Sequence, residues 1–364
     1  MDAIIQGFGT ATPRHAMTQA RASSLAAAWG RYSASQARAV EMLYQRAQVK
    51  TRGSVLLEDG NGHGAVQSFY PAAGFDEDRG PTTRERLERY AQEAPALAYE
   101  ASRRALEAAG AAPPQVTHVV TVSCTGFAAP GVDIRLTKAL GLPGTVERTH
   151  IGFMGCHGAL NGLRVAAALA CQQPKARVLV CAVELCSLHF RYGWHEAGVV
   201  ANALFADGAA ACVVSQADDA VAPGLRLRAT GSCLLPDSEE AMGWRIGNHG
   251  FEMRLDPSVP ALIARHLKPW LSEWLHEHGL TIERVGGWAI HPGGPRVLHS
   301  VVSGLGLPED AAVVSRAVLA EHGNMSSPTV LFILHRLQQR QAPTPYVALA
   351  FGPGLVVEAV VLDA

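Results

Sequence analysis

Val116-Thr-His-Val-Val-Thr-Val-Ser123 and Arg177-Val-Leu-Val-Cys-Ala-Val183 read as strands, and between them lies Cys156-His-Gly-Ala-Leu-Asn-Gly-Leu-Arg-Val-Ala-Ala-Ala-Leu-Ala-Cys-Gln172. That middle run is small or apolar nearly all round, the pattern of a central, buried helix. Pro174 stops it. Another strand is expected at residues 210–215. Strands alternating with longer helical patterns predict stacked α/β layers, not separate α and β domains.

The second half repeats the style. Residues 285–290 read as a buried strand ending at His291-Pro-Gly-Gly, with a helix from about Pro295. Residues 327–341 make another helix, with Ser327 as its cap and Pro328 in the first turn. Two strands, 346–351 and 355–362, close the chain around Gly352-Pro353-Gly354. Residues 84–109 form a charged amphipathic helix expected on the surface, bent at Pro95. Polar residues and Pro223 cluster at 216–223, which suggests halves of 1–220 and 221–364. The boundary is weak, because strands from both halves could share one core.

The 364 residues are 48% hydrophobic and 17% charged, with a formal net charge of -1. That balance speaks against a nucleic-acid partner and against an acidic solvating tail. Small molecules or a second copy of the chain are the expected partners. The N-terminus lacks the pattern of a secretory signal, and no apolar run is long enough to span a bilayer. A soluble, cytoplasmic protein is expected. The seven cysteines resemble neither a disulfide framework nor a zinc site. Most sit among apolar or small neighbours, as buried free thiols do, and reduced thiols fit the cytosol.

Cys156 needs a different account. In Ile151-Gly-Phe-Met-Gly-Cys-His-Gly-Ala-Leu-Asn-Gly162 it stands at the expected start of the buried helix. Free N–H groups and the partial positive charge of a helix N-terminus favour thiolate over thiol. Gly155 and Gly158 allow close backbone approach, and Gly158 with Gly162 allows tight helix packing. A structural cysteine acting as a small hydrophobe is about as good a reading of this segment taken alone. His291 falls at a strand end, where α/β folds gather ligand and catalytic groups, although most of fifteen histidines must be structural. Asn324, in His-Gly-Asn-Met-Ser-Ser-Pro, taken alone reads as a turn residue. Together the three supply a nucleophile, a base and neutral hydrogen-bond donors. Such donors can hold an oxyanion or enolate without adding negative charge. That points toward carbanion or enolate chemistry on thioesters.

Gly155-Cys-His-Gly-Ala, His291-Pro-Gly-Gly-Pro, Gly323-Asn-Met-Ser-Ser and Phe351-Gly-Pro-Gly-Leu resemble the type III polyketide synthases, the chalcone-synthase-like family. Phe205-Ala-Asp-Gly-Ala-Ala and Leu234-Leu-Pro-Asp-Ser-Glu are similar to further signatures of that family, in the family's order. From Gly7-Phe-Gly-Thr-Ala-Thr-Pro to the last strands, the resemblance spans nearly the whole chain.

The resemblance implies a thiolase-type αβαβα sandwich of two similar halves, working as a homodimer. It implies that Cys156 accepts an acyl group from coenzyme A and that His291 helps to keep Cys156 ionised. His291 and Asn324 would then hold the enolate formed as malonyl-CoA loses carbon dioxide. Neither metal nor redox cofactor is implied, only coenzyme A thioesters as substrates. Phe205 and Phe251 match two aromatic gatekeepers, each with a plain alternative as a core phenylalanine. Cys124, Glu184, Cys186, His189, Trp244 and Ser326 match cavity positions, and Arg46 and Lys50, with Arg38, the basic coenzyme A entrance. Plant members carry threonine where Cys124, Cys186 and His189 stand, and glycine near Trp244. Those differences resemble bacterial members and argue against a flavonoid product. Ala129 stands where plant members often extend a methionine into the partner's cavity.

A fatty acyl starter giving alkylpyrones or alkylresorcinols is the first expectation. A malonyl-only product of the tetrahydroxynaphthalene or phloroglucinol type is second. β-Ketoacyl-acyl-carrier-protein synthase III is a rival with the same three residues, but its His-Gln-Ala-Asn run is replaced here by His291-Pro-Gly-Gly. A papain-type hydrolase fits the cysteine count and layout poorly, and a non-catalytic scaffold would not need all three polar residues.

Overall fold

A computed structural model describes residues 3–60, 66–75, 77–173, 175–217 and 224–364. The strand–helix–strand unit is present. In the first half, the strands are β1 (Ala3–Ala11), β2 (Ala16–Thr18), β3 (Thr51–Gly53), β4 (His118–Ser123), β5 (Glu147–Gly152), β6 (Arg177–Leu185) and β7 (Asp207–Gln216). Its helices are α1 (Gln19–Gly30), α2 (Ala34–Arg46), α3 (Thr83–Ala108), α4 (Val132–Leu140), α5 (Gly158–Gln172) and α6 (Glu196–Leu204). The second half has strands β8 (Leu225–Leu234), β9 (Met242–Gly247), β10 (Gly250–Leu255), β11 (Gly287–Ile290), β12 (Tyr346–Gly352) and β13 (Val356–Asp363). Its helices are α7 (Val259–Glu277), α8 (Pro295–Leu305), α9 (Val313–His322) and α10 (Pro328–Gln339).

One mixed sheet runs β11-β12-β13-β8-β1-β7-β6-β4-β5. Its two parts repeat. In the first, β4 lies parallel to β6, which is antiparallel to β7, which is antiparallel to β1. In the second, β11 lies parallel to β12, which is antiparallel to β13, which is antiparallel to β8. The parts join where Ala3–Ile5 of β1 pair with Leu225–Leu227 of β8. Both halves therefore share a sheet. The expected boundary at 216–223 lies outside the described residues from 218 onward, as does Pro174.

Helices α5 and α10 pack on β7 from the first part and on β13 or β12 from the second. The two parts of the sheet must therefore face each other across this helix pair. Helix α3 covers the outer face of β1, β6 and β7, while α7 and α8 lie in the core outside β12 and β13. The order of layers is α, β, α, β, α.

Helix α3 is the expected amphipathic helix of an outer layer, with Arg84, Glu88 and Arg104 on its exposed face. It opens with a reciprocal capping box between Thr82 and Glu85. One stripe, Ala94, Ala98, Ala101 and Ala105, is then completely buried. Gly9 of β1 explains the closeness, since a Cβ there would lie 2.1 Å from the Ala101 carbonyl oxygen. Pro95 sits inside the helix without ending it. The expectation for Ser327 is corrected: it occupies the cap position of α10 but makes no capping bond. Its hydroxyl donates instead to Glu184 Oε1 at 2.6 Å. Among the cysteines, Cys171 is exposed and Cys233 partly so, and all seven are free thiols.

Candidate active site

Cys156 sits in a 3-10 turn, Gly155–His157, leading directly into α5. Gly155 is in the left-handed region at φ 75°, and a Cβ on it would meet Pro353 Cδ at 2.4 Å. Only glycine lets the turn rest against the Gly352-Pro353-Gly354 loop. From the other half comes the segment ahead of α10. Asn324 Oδ1 accepts from Ser326 N at 2.8 Å, which fixes the amide and leaves Nδ2 as a donor with no protein partner. Ser326 takes φ 55°, unusual for a residue with a side chain, and its Oγ donates to Cys156 Sγ at 3.5 Å.

Burial pushes the Cys156 thiol up to about 12. The Ser326 hydroxyl pulls it down, the Glu184 carboxyl adds to the rise, and the Asn324 amide, near the sulfur but outside hydrogen-bond geometry, pulls it down least. Desolvation of an almost enclosed sulfur thus opposes the helix terminus, which favours thiolate. His291 follows β11 and is fully buried, with neither ring nitrogen hydrogen-bonded to protein. Burial, then the charge of neighbouring His157, pushes it down to about 3, so the imidazole is neutral. The structure thus groups Cys156 with Asn324 and Ser326, and sets His291 beside His157, the next residue along from Cys156.

A cavity reaches Ser326, the neighbour of Cys156, and is lined also by Thr125, Cys186, His189, Trp244, Phe205 and Phe251, while Cys156, His291 and Asn324 themselves lie outside its lining. Leu25, Trp29, Leu56 and Leu57 give the same cavity an apolar share of its lining. Phe251 N–H donates to His189 Nδ1 at 2.9 Å, and the two rings stack at 4.2 Å. Two expected lining residues lie behind the wall instead. Glu184 is completely buried and accepts from Cys124 N, Thr125 N, Thr125 Oγ1 and Ser327 Oγ. Cys124 Sγ accepts from Gly155 N at 3.0 Å, which makes it a support for the cysteine turn. Arg46, in the last turn of α2, and Lys50 are exposed and do not line the cavity, and Arg38 is exposed too.

Reading the sequence missed Arg52 and His157. Arg52 lines the cavity and is 8% exposed, with Nη1 donating to the Asn202 and Phe205 carbonyls at 2.6 and 2.9 Å. Nothing local marks such an arginine, because its partners lie in the last turn of α6 and just past its end, far along the chain. His157 was passed over as the neighbour of the cysteine, yet it is 2% exposed. Among the described residues no group of side chains is arranged to hold a metal ion. Nor is any helix there long and apolar enough to cross a membrane.

Comparison with known proteins fits this geometry. Residues 2–218 match the family model "Chalcone and stilbene synthases, N-terminal domain", and 226–364 match its C-terminal counterpart. The alpha-pyrone synthesis polyketide synthase-like Pks18 of Mycobacterium tuberculosis is 32% identical, over 99% of this chain and 91% of its own. The 1,3,6,8-tetrahydroxynaphthalene synthase of Streptomyces peucetius subsp. caesius is 40% identical, over 73% of this chain and 72% of its own. Among solved structures, PKS-I from the brown alga Ectocarpus siliculosus superposes with a TM-score of 0.93 at 30% identity. That match covers 99% of this chain and 98% of the other. The layered, two-part architecture is thiolase-like.

Proposed function

The chain belongs to the chalcone and stilbene synthase family and is a type III polyketide synthase, an acyltransferase that makes carbon–carbon bonds by Claisen condensation; from that premise we propose that Cys156 is its nucleophile, loaded from an apolar acyl-CoA and extended with malonyl-CoA. During loading, the Cys156 thiol gives its proton to His291 as sulfur attacks the acyl carbonyl. The coenzyme A thiolate leaves and takes that proton. Malonyl-CoA then loses carbon dioxide, and the electron pair of the broken bond becomes an enolate. Asn324 Nδ2 and the neutral His291 N–H donate to its oxygen. The enolate carbon attacks the Cys156 thioester, and the cysteine leaves as thiolate. Repeated cycles and ring closure follow.

The unpaired Asn324 Nδ2 and His291 nitrogens support this division of labour. Buried donors normally have partners, and an enolate oxygen would complete these two. Phe205 and Phe251, in the cavity wall, serve as the gatekeepers, shielding the malonyl carboxylate from water. Arg46 and Lys50 remain the proposed entrance contacts for coenzyme A. The nucleophile then comes from the first half, 1–220, and the donors from the second, 221–364.

The starter rests on one observation, the apolar side chains of Leu25, Trp29, Leu56 and Leu57 in the cavity lining. That lining suits an alkyl chain, leading to alkylpyrones or alkylresorcinols. A relative named for alpha-pyrone synthesis agrees. The second reading, a malonyl-only product, is favoured by the tetrahydroxynaphthalene synthase match and by the bulk of His189 and Trp244 in the wall. Product mass spectrometry with malonyl-CoA alone, and with acyl-CoA starters of graded length, separates the two. Alkylated pyrones or resorcinols support the first reading, and an unalkylated aromatic from malonyl-CoA alone supports the second.

A homodimer is also proposed. Strand β5 is an exposed sheet edge, and next to it Phe127, Phe153 and Met154 are 48%, 36% and 38% exposed. An unpaired edge beside large apolar side chains suits pairing with a second copy. Seven free thiols fit a cytoplasmic location.

A further inference from the structure

A buried polar chain runs away from the cysteine turn through His157. His157 Nδ1 and Asn161 Oδ1 are 2.7 Å apart, and Asn161 Nδ2 donates to Glu358 Oε1 at 3.0 Å. Ser232 Oγ donates to the same oxygen at 2.8 Å, and Arg164 Nη2 pairs with Oε2. The carboxylate fixes which end of the Asn161 amide faces it, so Oδ1 must face His157 and His157 Nδ1 must carry the proton. An amide stands between imidazole and carboxylate, transmitting a hydrogen bond without placing a charge next to the ring.

The chain crosses the molecule. His157, Asn161 and Arg164 belong to α5 and the turn before it, whereas Glu358 and Ser232 face each other on β13 and β8. The His157 ring also lies against Gly352, where a Cβ would come within 2.4 Å of Cδ2. The turn has Gly155 at φ 75° before Cys156 and Gly158 after His157, and its backbone is held by Cys124 Sγ at Gly155 N, which leaves the Cys156–His157 peptide units to be fixed by their side chains. Fixing the side chain of His157 fixes the peptide units of its neighbour.

We propose that His157 is a positioning residue for the condensation: tethered through Asn161 to Glu358, it holds the turn that aims Cys156 Sγ toward Ser326 and Asn324. The proposal rests on Cys156 being the nucleophile. The groups facing His157 are His291 beyond β11, Arg164 on its own helix and Glu358 on β13. With Asn161 interposed, the tether acts through geometry and not through a nearby charge.

The test compares Asn161→Leu, His157→Phe and His157→Asn, with Cys156→Ala as control. Asparagine places an amide N–H close to where imidazole Nδ1 stands, so it keeps the tether and loses the bulk. Phenylalanine keeps the bulk against Gly352 and loses the tether. The readouts are kcat and KM for the starter, the rate at which iodoacetamide alkylates Cys156, and the melting temperature. With a tether, Asn161→Leu and His157→Phe lose about tenfold or more in kcat and in alkylation rate at little-changed KM, while His157→Asn stays within about threefold. A purely packing role reverses that order, with His157→Phe active and His157→Asn impaired, and overturns the proposal. So does an Asn161→Leu protein that melts lower but whose folded fraction reacts normally. Should Asn161→Leu fail to fold, the order of the two His157 variants decides alone. Condensation persisting in Cys156→Ala defeats the underlying assignment of the nucleophile, a separate result.

Discussion

Ser326 Oγ donates to Cys156 Sγ at 3.5 Å, so the ends of the two central helices meet, with Cys156 ahead of α5 and Ser326 ahead of α10. The contact lowers the thiol's pKa, but burial holds it up at about 12. In the free enzyme the thiolate fraction therefore grows about tenfold per pH unit across the working range. Alkylation of Cys156 should climb without a plateau from about pH 6 to about pH 9. Ser326→Ala should slow it severalfold. A plateau with a midpoint near neutrality would show that a preformed thiolate–imidazolium pair governs the resting site.

Asp207 makes stability depend on pH. It is 1% exposed and accepts from Ser187 N and Oγ and from Val55 N. Burial raises its pKa from 3.8 to about 6, the hydrogen bonds acting in the opposite direction. A raised folded-state pKa means that the folded protein holds the proton more tightly. Its stabilising contribution is complete below about pH 4 and is lost as pH rises through about 6, a change of about 3 kcal/mol. Denaturant unfolding of wild type minus Asp207→Asn should show that downward step. Parallel curves between pH 4 and 6 would rule it out.

The layers and the three polar residues were legible in the sequence for different reasons. The runs at 116–123 and 177–183 are rich in valine and almost wholly buried, and the helix after Cys156 is small or apolar nearly all round, so local pattern and final burial agree. Helix α3 was legible as an amphipathic outer helix, but the fit of its alanine stripe against Gly7 and Gly9 was not, because that contact joins segments about a hundred residues apart. Ser327 has the composition of a cap but turns to Glu184, a partner 143 residues away in sequence. Glu184 and Cys124 match cavity positions by motif, yet the hydrogen bonds that place them behind the wall come from several elements at once. Contacts of that range leave no trace in composition or spacing.

Phe251 hangs on the β9–β10 hairpin and is pinned by His189 through both a hydrogen bond and ring stacking. Phe251→Ala removes a large ring from the cavity wall. The mass distribution of products should shift toward longer starters or additional extensions, with Cys156 still loaded. An unchanged product profile would remove Phe251 from the gate.

Pairing through β5 predicts a solution mass near twice the 38.5 kDa of the chain by light scattering. Phe127→Asp with Met154→Asp should convert it to monomer by placing charges in an apolar contact. A wild-type protein that runs as a monomer at micromolar concentration would exclude the interface.

The most direct measurement is mass spectrometry of the products formed by purified wild type and Cys156→Ala from malonyl-CoA, alone and with alkyl acyl-CoA starters. Alkylated pyrones or resorcinols from the wild type, absent in the variant, are the predicted result. Condensation products that persist without the Cys156 thiol would contradict the assignment of this residue as the nucleophile.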